Sequence, residues 1–444
     1  MKVSRMPMDP GPAAWDSLLS EEKSREVLDE STVADWIVVG AGFAGLSAAR
    51  RLAELHPGDR VVVLEASRIA QGPAGRNSGF MIDVPHDLTA SDYAGDTTKD
   101  SRLIRLNRAG IDYALDAKSA YGMSDEALSL CGKINGAITS RGVEHNAAYA
   151  RYLDRLSEPY ETLQAQEMKS LTGTGCYRQG LFTAGTAMLQ PAMYIRALAS
   201  GIESNRLRIY EQTPVVELIR EGSQWIAKTP RGQVTAPCVI LGVNGHLESF
   251  GFYQKQLMHV FTYGSMTRAL STREVAALGG ESNWALTPAD ALGTTVRRIS
   301  GTGGDRLIIR NRATFDPTLK VSASRIDRVA RNHDRSFHYR FPQLKHVDME
   351  YRWGGRLCLS RNNTSVFGEI DTNLFSACCQ NGLGTAKGTI AGKLIAELAS
   401  QQTSALLKDQ MSDLEPTKLP PEPFASIGAS AVLRWGEFRA GREL

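Results

Sequence analysis

The sequence predicts an α/β protein: a Rossmann-like dinucleotide-binding domain built from discontinuous segments, plus an α+β domain with a mixed or antiparallel sheet. Three observations carry this. Residues 34–66 read as apolar run, glycine turn, helix, apolar run and acid. Residues 207–243 and 256–312 are rich in short strand-like runs, the first a meander. Near the C-terminus an apolar run, NLFSACCQ, meets Asn381-Gly382-Leu383-Gly384 and then a helical stretch to Leu398.

In the first unit Trp36 to Val39 leads into Gly40-Ala41-Gly42-Phe43-Ala44-Gly45. A helix follows to Leu55, and Val61 to Leu64 ends at Glu65 and Ala66. Gly40 permits a tight turn, Gly42 lets backbone approach a pyrophosphate, and Gly45 lets the helix pack close to the strand. The helix start offers unpaired amides to phosphate charge. Glu65 follows the glycines by about 20 residues, the distance at which an acid accepts ribose hydroxyls. An acid there disfavours a 2′-phosphate, so NADP is not expected. The glycine turn alone would leave a ligand-free βα turn as the alternative; strands, helix and acid in register favour dinucleotide binding.

The chain has 444 residues, enough for two or three domains. Apolar content of 42% and charged content of 22% are ordinary for a globular protein. A net charge of +3 without a polybasic tail gives no reason to expect nucleic acid. Of the six cysteines, Cys131, Cys176, Cys238, Cys358, Cys378 and Cys379, none forms a CxxC pair, so no metal site is expected. Their sparseness fits a reducing compartment. The first 28 residues carry Asp, Glu and Pro and no apolar core of a signal peptide. No run reaches the 18 apolar residues of a membrane span. A cytoplasmic protein is expected.

Residues 1–33 form an extension in which Trp15, Leu18, Leu19, Val27 and Leu28 suggest a partly amphipathic helix packed on the protein's own surface. Residues 34–100 are the first part of the nucleotide domain. There Ala66 to Met81 is expected to be a loop, because its glycines and polar residues suit no regular element. Residues 101–180 begin the substrate domain, with apolar residues at helical spacing from 100 to 170. Residues 181–250 return to the nucleotide domain, with a helix after Gln190 and a strand from Cys238 to Val243. Residues 251–345 are the second part of the substrate domain and include a basic helix from Ala323 to Phe337. Residues 346–410 complete the nucleotide domain. In its helix Gly384, Gly388 and Gly392 recur every four residues, a bare face suited to close approach to a sheet or ligand. Residues 411–444 are a tail, Pro-rich from Glu415 to Pro423, with no element assigned.

Four patches give the chain a family likeness: the nucleotide unit ending in Glu65; Gly75-Arg76-Asn77-Ser78-Gly79; Pro214 to Leu218 with WIAKTPRGQVTAPCVILGVNG; and Trp353-Gly354-Gly355 with SRNNTSVFG and NGLGTAKGTIAGKLIAEL. From Ala34 to Ser400 the chain resembles FAD-dependent amine and amino-acid oxidoreductases of the D-amino acid oxidase superfamily. Within it, γ-glutamylputrescine oxidase-like and glycine oxidase-like members are the nearest in look. The resemblance implies FAD, held noncovalently. Residues 76–79 would lie along the flavin, the backbone of Val215 would meet the adenine, and Gly355 would stand where sarcosine oxidases carry their flavin-linked cysteine. Asn381, Gly382, Leu383, Gly384 and Thr385 would form the turn beside the flavin, with a helix start at Leu383-Gly384 stabilising charge at its pyrimidine edge. The chain departs from the family at Arg361, Asn362, Ser365 and Leu383, where Pro, Asp, Pro and His are usual.

The implied activity is oxidation of a C–N bond of a small amine by hydride transfer to flavin, giving an imine that hydrolyses to a carbonyl compound. Two family anchors for an α-carboxylate are missing: Leu357 stands at the glycine oxidase arginine, with Arg356 one step away on the reversed face. Ala386 stands at the sarcosine oxidase lysine, with Lys387 beside it. This favours an amine without a tightly held α-carboxylate. Arg297, Arg298, Arg310 and Arg312 fall on expected strands; each reads first as a solvated sheet residue, with at least one open to facing the pocket and a distal acidic group. His259 and Lys255 are candidates for positive charge near reduced flavin, with Arg76 and Tyr263 as further catalytic candidates and His246 as structural. Oxygen, a quinone or an electron-transfer protein are the open acceptors. N-demethylation of a secondary amine, a flavin subunit of a larger dehydrogenase, and a nicotinamide enzyme are the rival readings.

Overall fold

The computed structural model describes residues 1–85 and 96–444; positions 86–95, inside the first expected nucleotide segment, lie outside the described residues. A six-stranded sheet holds the nucleotide unit. Its order is Leu207–Tyr210, Val61–Leu64, Trp36–Val39, Cys238–Leu241, Leu374–Cys378 and Val366–Asp371. The first five run parallel and the last is antiparallel. Val61 to Leu64 is buried at every position, as a strand covered on both faces must be.

An eight-stranded mixed sheet forms the second layer. Its edge strand is Met349–Ser360, followed by Leu257–Thr267, Arg306–Phe315, Thr295–Ile299, Trp284–Pro288, Lys133–Ala137, Gln179–Thr183 and Glu161–Gln164. Alternation gives it two faces. One packs on the helix Ala323–Arg340, burying Leu286, Val296, Leu307, Ile309 and Phe337 together. The other turns Trp353, Met266 and Ile308 into the core of the nucleotide layer. The fold is thus the mixed α/β architecture the sequence predicts.

Four local expectations need correction. The N-terminal extension is helical only at Ala14–Ser17. Prolines at 7, 10 and 12 oppose helix, and the backbone bonds to its neighbours instead, Val3 N to Val216 O at 2.9 Å and Leu28 N to Thr213 Oγ1 at 3.2 Å. Trp15 and Leu28 are nonetheless buried, as packing on the protein's own surface requires. The stretch from 100 to 170 carries three helices, but the strands Leu128–Leu130, Lys133–Ala137 and Glu161–Gln164 interrupt them. The bare glycine face meets a helix rather than a sheet: a Cβ at Gly392 would stand 2.1 Å from Ala44 O of the helix Phe43–Leu55. The C-terminal tail contains a 17-residue helix, Phe424–Ala440.

Candidate functional site

The glycine turn shows why each glycine stands where it does. Gly40 has φ +96°, and a Cβ on Gly45 would lie 1.7 Å from Gly40 O. Gly42 differs: its conformation is extended, and the nearest atom to an added Cβ is Ala74 Cβ at 3.6 Å. Gly42 is also the N-cap of the helix Phe43–Leu55, without a side-chain cap, so the first amides of that helix, through Phe43, Ala44 and Gly45, have no side chain to satisfy them. Glu65 is folded back over this turn. Its Oε2 accepts from Ala41 N and its Oε1 from Ser67 N, both at 2.9 Å. Burial raises its pKa, an effect the amides of Ala41 and Ser67 oppose. Thr213 N donates to Glu65 O at 2.8 Å, and Val215, two residues on, is buried in the same apolar cluster as Leu64.

The loop after the acid converges on the C-terminal turn. Thr385 Oγ1 donates to Phe80 O at 2.5 Å. A Cβ on Gly355 would lie 3.3 Å from Arg76 O, and Trp353 Nε1 donates to that same oxygen at 3.0 Å. Leu359 reaches toward Gly382, 3.9 Å from its missing Cβ. Asn381 and Gly382 both have positive φ, a sharp turn ahead of the helix Ala386–Ala399. Its ladder reaches back to Leu383, which accepts from Lys387 N at 3.0 Å, and to Gly384, which accepts from Gly388 N at 3.2 Å. Asn77 Oδ1 accepts from Gly79 N at 2.8 Å, closing the loop around Ser78.

Two arginines clamp this loop. Arg76 donates through Nε to Gln71 O at 2.6 Å and through Nη1 to Pro10 O at 3.1 Å and Gly11 O at 3.0 Å. The N-terminal extension is therefore part of the site. Arg297 donates to Ser78 O at 3.2 Å and Leu189 O at 2.7 Å, and burial lowers its pKa to about 10. Its ordinary reading as a solvated sheet residue is overturned. So is that of Arg298, which pairs with Asp305 at 3.0 Å and is 2% exposed, and that of Arg312, whose partner is Glu437.

Pairing registers sort the remaining candidates by face. Gly355 opposes Thr262, Gly264 opposes Arg310, and Arg297 opposes Ile308, all on the face toward the nucleotide layer. Leu357 shares it. Arg310 is half-buried there, and desolvation lowers its pKa. Further along that face Lys133 Nζ donates to Asn135 Oδ1 at 2.7 Å, which also accepts from Thr287 Oγ1 at 2.6 Å. Burial lowers the Lys133 pKa to about 8. The sequence reading passed over Lys133; a lone lysine in the apolar run KINGAI was its only signal.

The other face holds His259, Tyr263 and Arg356, because His259 opposes Cys358 and Arg356 opposes Phe261. His259 Nε2 meets Glu248 Oε2 at 2.6 Å. Tyr263 bonds Thr314 Oγ1 at 2.6 Å, and burial raises its pKa to about 12. Arg356 is clamped by both oxygens of Asp9 at 3.0 Å and donates to His246 Nε2. Burial and Arg356 hold the His246 pKa down at about 3, so it stays a neutral acceptor. The structure thus brings Arg76 to the strand at Gly354 and Gly355 and sets His259 and Tyr263 behind the sheet. Lys255 lies outside the strand with its amide on Glu248 Oε1. Burial lowers the Lys387 pKa, an effect that the charges of Asp413 and Asp100 oppose.

These residues fit a dinucleotide cofactor: an uncapped helix start beside an open Gly42, a half-buried carboxylate behind it, and a second helix start at the loop. Buried Gln380 Oε1 has no hydrogen-bond partner among the described residues. No group of three or more metal-ligating side chains occurs among the described residues, and no described helix is long and apolar enough to cross a membrane.

Comparison with known proteins bears on the family and the fold. A family model described as FAD dependent oxidoreductase matches residues 35–398. The chain is 28% identical over 389 residues to the gamma-glutamylputrescine oxidoreductase of Escherichia coli, covering 84% of this chain and 85% of that one. It is 27% identical over 381 residues to a probable oxidoreductase, OrdL, of Haemophilus influenzae, covering 82% of each. Glycine oxidase of Geobacillus kaustophilus superposes with a TM-score of 0.69 at 18% identity, over 88% of this chain and 99% of the other. That last likeness concerns the fold.

Proposed function

The chain belongs to the FAD-dependent oxidoreductase family, and from that premise we propose that it oxidises the C–N bond of a small amine lacking an α-carboxylate. The product is an imine that water hydrolyses to a carbonyl compound. FAD, when bound, supplies the hydride acceptor. The residues that would hold it are the amides from Gly42 to Gly45 for the pyrophosphate and Glu65 with Ala66 for the ribose. Val215 would meet the adenine; Arg76 to Gly79, Gly355 and Asn381 to Thr385 would border the flavin. Attachment is noncovalent: Gly355 offers no sulfur, and Cys358 projects from the opposite face, buried, with its pKa held well up by its hydrogen bond with Cys379 and by burial.

The observation that carries the substrate class is the fate of Arg356. An α-carboxylate bound beside Gly355 needs a cation on that face. Leu357 is there instead, and the neighbouring guanidinium is turned away and neutralised by Asp9. Of the cations on the Gly355 face, Arg297 is committed to the carbonyls of Ser78 and Leu189 and Lys133 to Asn135, which leaves Arg310, two strands from Gly355, or roughly 10 Å at ordinary strand spacing. It suits an acidic group at the far end of an amine. Arg76 acts by position: its Nη1, donating to the carbonyls of Pro10 and Gly11, holds the N-terminal extension against the loop. The partners are a small amine and an electron acceptor, oxygen or another.

Anaerobic titration of the holoprotein with an amine panel tests this. Amines with a distal carboxylate should bleach the flavin band near about 450 nm at lower concentration than α-amino acids. Ammonia as product supports the reading; formaldehyde would move it to N-demethylation, and bleaching by α-amino acids alone would defeat it.

A further inference from the structure

The C-terminal helix Phe424–Ala440 is buried inside out. Its buried residues are Glu437 and Ala440. Phe424, Ile427, Trp435 and Phe438 are 68%, 62%, 61% and 76% exposed. This is not a loose tail. Glu437 accepts from Arg312 Nη1 at 2.5 Å and from Ala313 N at 3.2 Å. Glu443, just beyond, accepts from Ile138 N, Thr139 N and Thr139 Oγ1, and its carbonyl accepts from Thr294 N and Arg340. The polar side is pinned to the body, and at 100° per residue the exposed apolar residues fall on the side directly opposite.

We propose that this stripe is the contact between two copies of the chain, packed antiparallel about a two-fold axis at Ala431. The residue profile is self-complementary, as such an axis demands. Phe424 and Phe438 lie equally far from Ala431 on either side, and so do Ile427 and Trp435. Two copies therefore place Phe424 against Phe438 and Ile427 against Trp435. At the centre Gly428 and Ala431 are small; a Cβ on Gly428 would meet nothing within 4 Å, so the partner helix can approach closely. Charge agrees: exposed Glu422 at one end comes beside exposed Arg439 of the other copy. Area agrees as well. Aromatic side chains carry about 150–250 Å² each, so the stripe exposes roughly 500–600 Å² of apolar surface, at the top of the range of about 300–600 Å² for a monomer's largest apolar patch, one that is often functional. Two copies would bury about 1,000–1,200 Å² in total, enough for a specific contact.

Sedimentation of the holoprotein over a concentration series tests the proposal. The native chain should sediment as a dimer. Trp435→Ser and Phe438→Ser should each raise the dimer dissociation constant by at least about tenfold, with flavin content and helix signal unchanged. Glu422→Arg should weaken association, and adding Arg439→Glu should restore it. In a Cys131→Ser background, Ala431→Cys should crosslink on oxidation, whereas Ser430→Cys, exposed but off the stripe, should not. A monomer at every concentration overturns the proposal. So does a dimer indifferent to Trp435 and Phe438, or a monomer that uses the stripe to bind anionic vesicles.

Discussion

Gly42 separates binding of the cofactor from stability of the fold. Gly42→Ala places a methyl where the nearest protein atom is 3.6 Å away, at φ −92° and ψ −167°, a conformation open to any residue. The apoprotein should lose nothing and gain about 0.4–1 kcal/mol, because alanine has less freedom to lose on folding. A pyrophosphate lying on the amides of the helix start is pushed outward by that methyl. Losing two charge-assisted hydrogen bonds at about 1.5 kcal/mol each gives about 3 kcal/mol, or roughly a hundredfold weaker FAD binding. Gly45→Ala is the control of opposite sign. Its methyl would stand 1.7 Å from Gly40 O, a backbone atom that cannot rotate aside. It should destabilise the apoprotein by about 1–3 kcal/mol or more. Thermal unfolding of the apoproteins and FAD titration by fluorescence quenching measure both. Wild-type FAD affinity in Gly42→Ala, with the fold intact, would refute the reasoning.

Asp9→Asn strips a buried arginine of its counter-charge and should cost about 3 kcal/mol in denaturant unfolding; Asp9→Leu with Arg356→Met should recover most of it. Lys133 contributes a pH dependence with a definite sign. Its folded pKa of about 8 lies below the ordinary 10.5, so the folded state holds fewer protons between those values and stability rises with pH across that window. Lys133→Met should lack the rise and be more stable at pH 7 by about 3 kcal/mol. Glu65 runs the other way: burial raises its pKa above 4.5, so the folded state holds more protons above 4.5 and apoprotein stability falls as pH rises to the folded pKa. Glu65→Gln should flatten that fall in pH-resolved unfolding. Arg310→Gln should raise KM about tenfold or more for amines with a distal carboxylate, while leaving simple amines unchanged in steady-state assays.

What was legible in the sequence was what neighbouring residues enforce on one another. Gly40 and Gly45 act within one βα unit, so spacing alone assigns them the tight turn and the close packing that the geometry then displays. The meeting of the Arg76 loop with the Asn381 turn joins residues hundreds of positions apart, and only likeness to a family placed them together. Partners of charged groups had no local signal at all. Arg356 gave away its face through strand alternation, yet its counter-ion Asp9 lies in an extension whose apolar residues imitate a helix. Arg297 looked like a solvated strand residue because alternation cannot say that a loop from residues 78–79 will cover that face. The C-terminal helix escaped for a deeper reason. Reading a helix from its apolar stripe assumes that the stripe faces the chain's own core, and in Phe424–Ala440 the core takes the glutamate while the aromatics face outward. A pattern that fails as a description of one chain becomes regular once a second copy supplies the missing side, and that is why the inverted helix speaks for assembly rather than for a poorly formed tail.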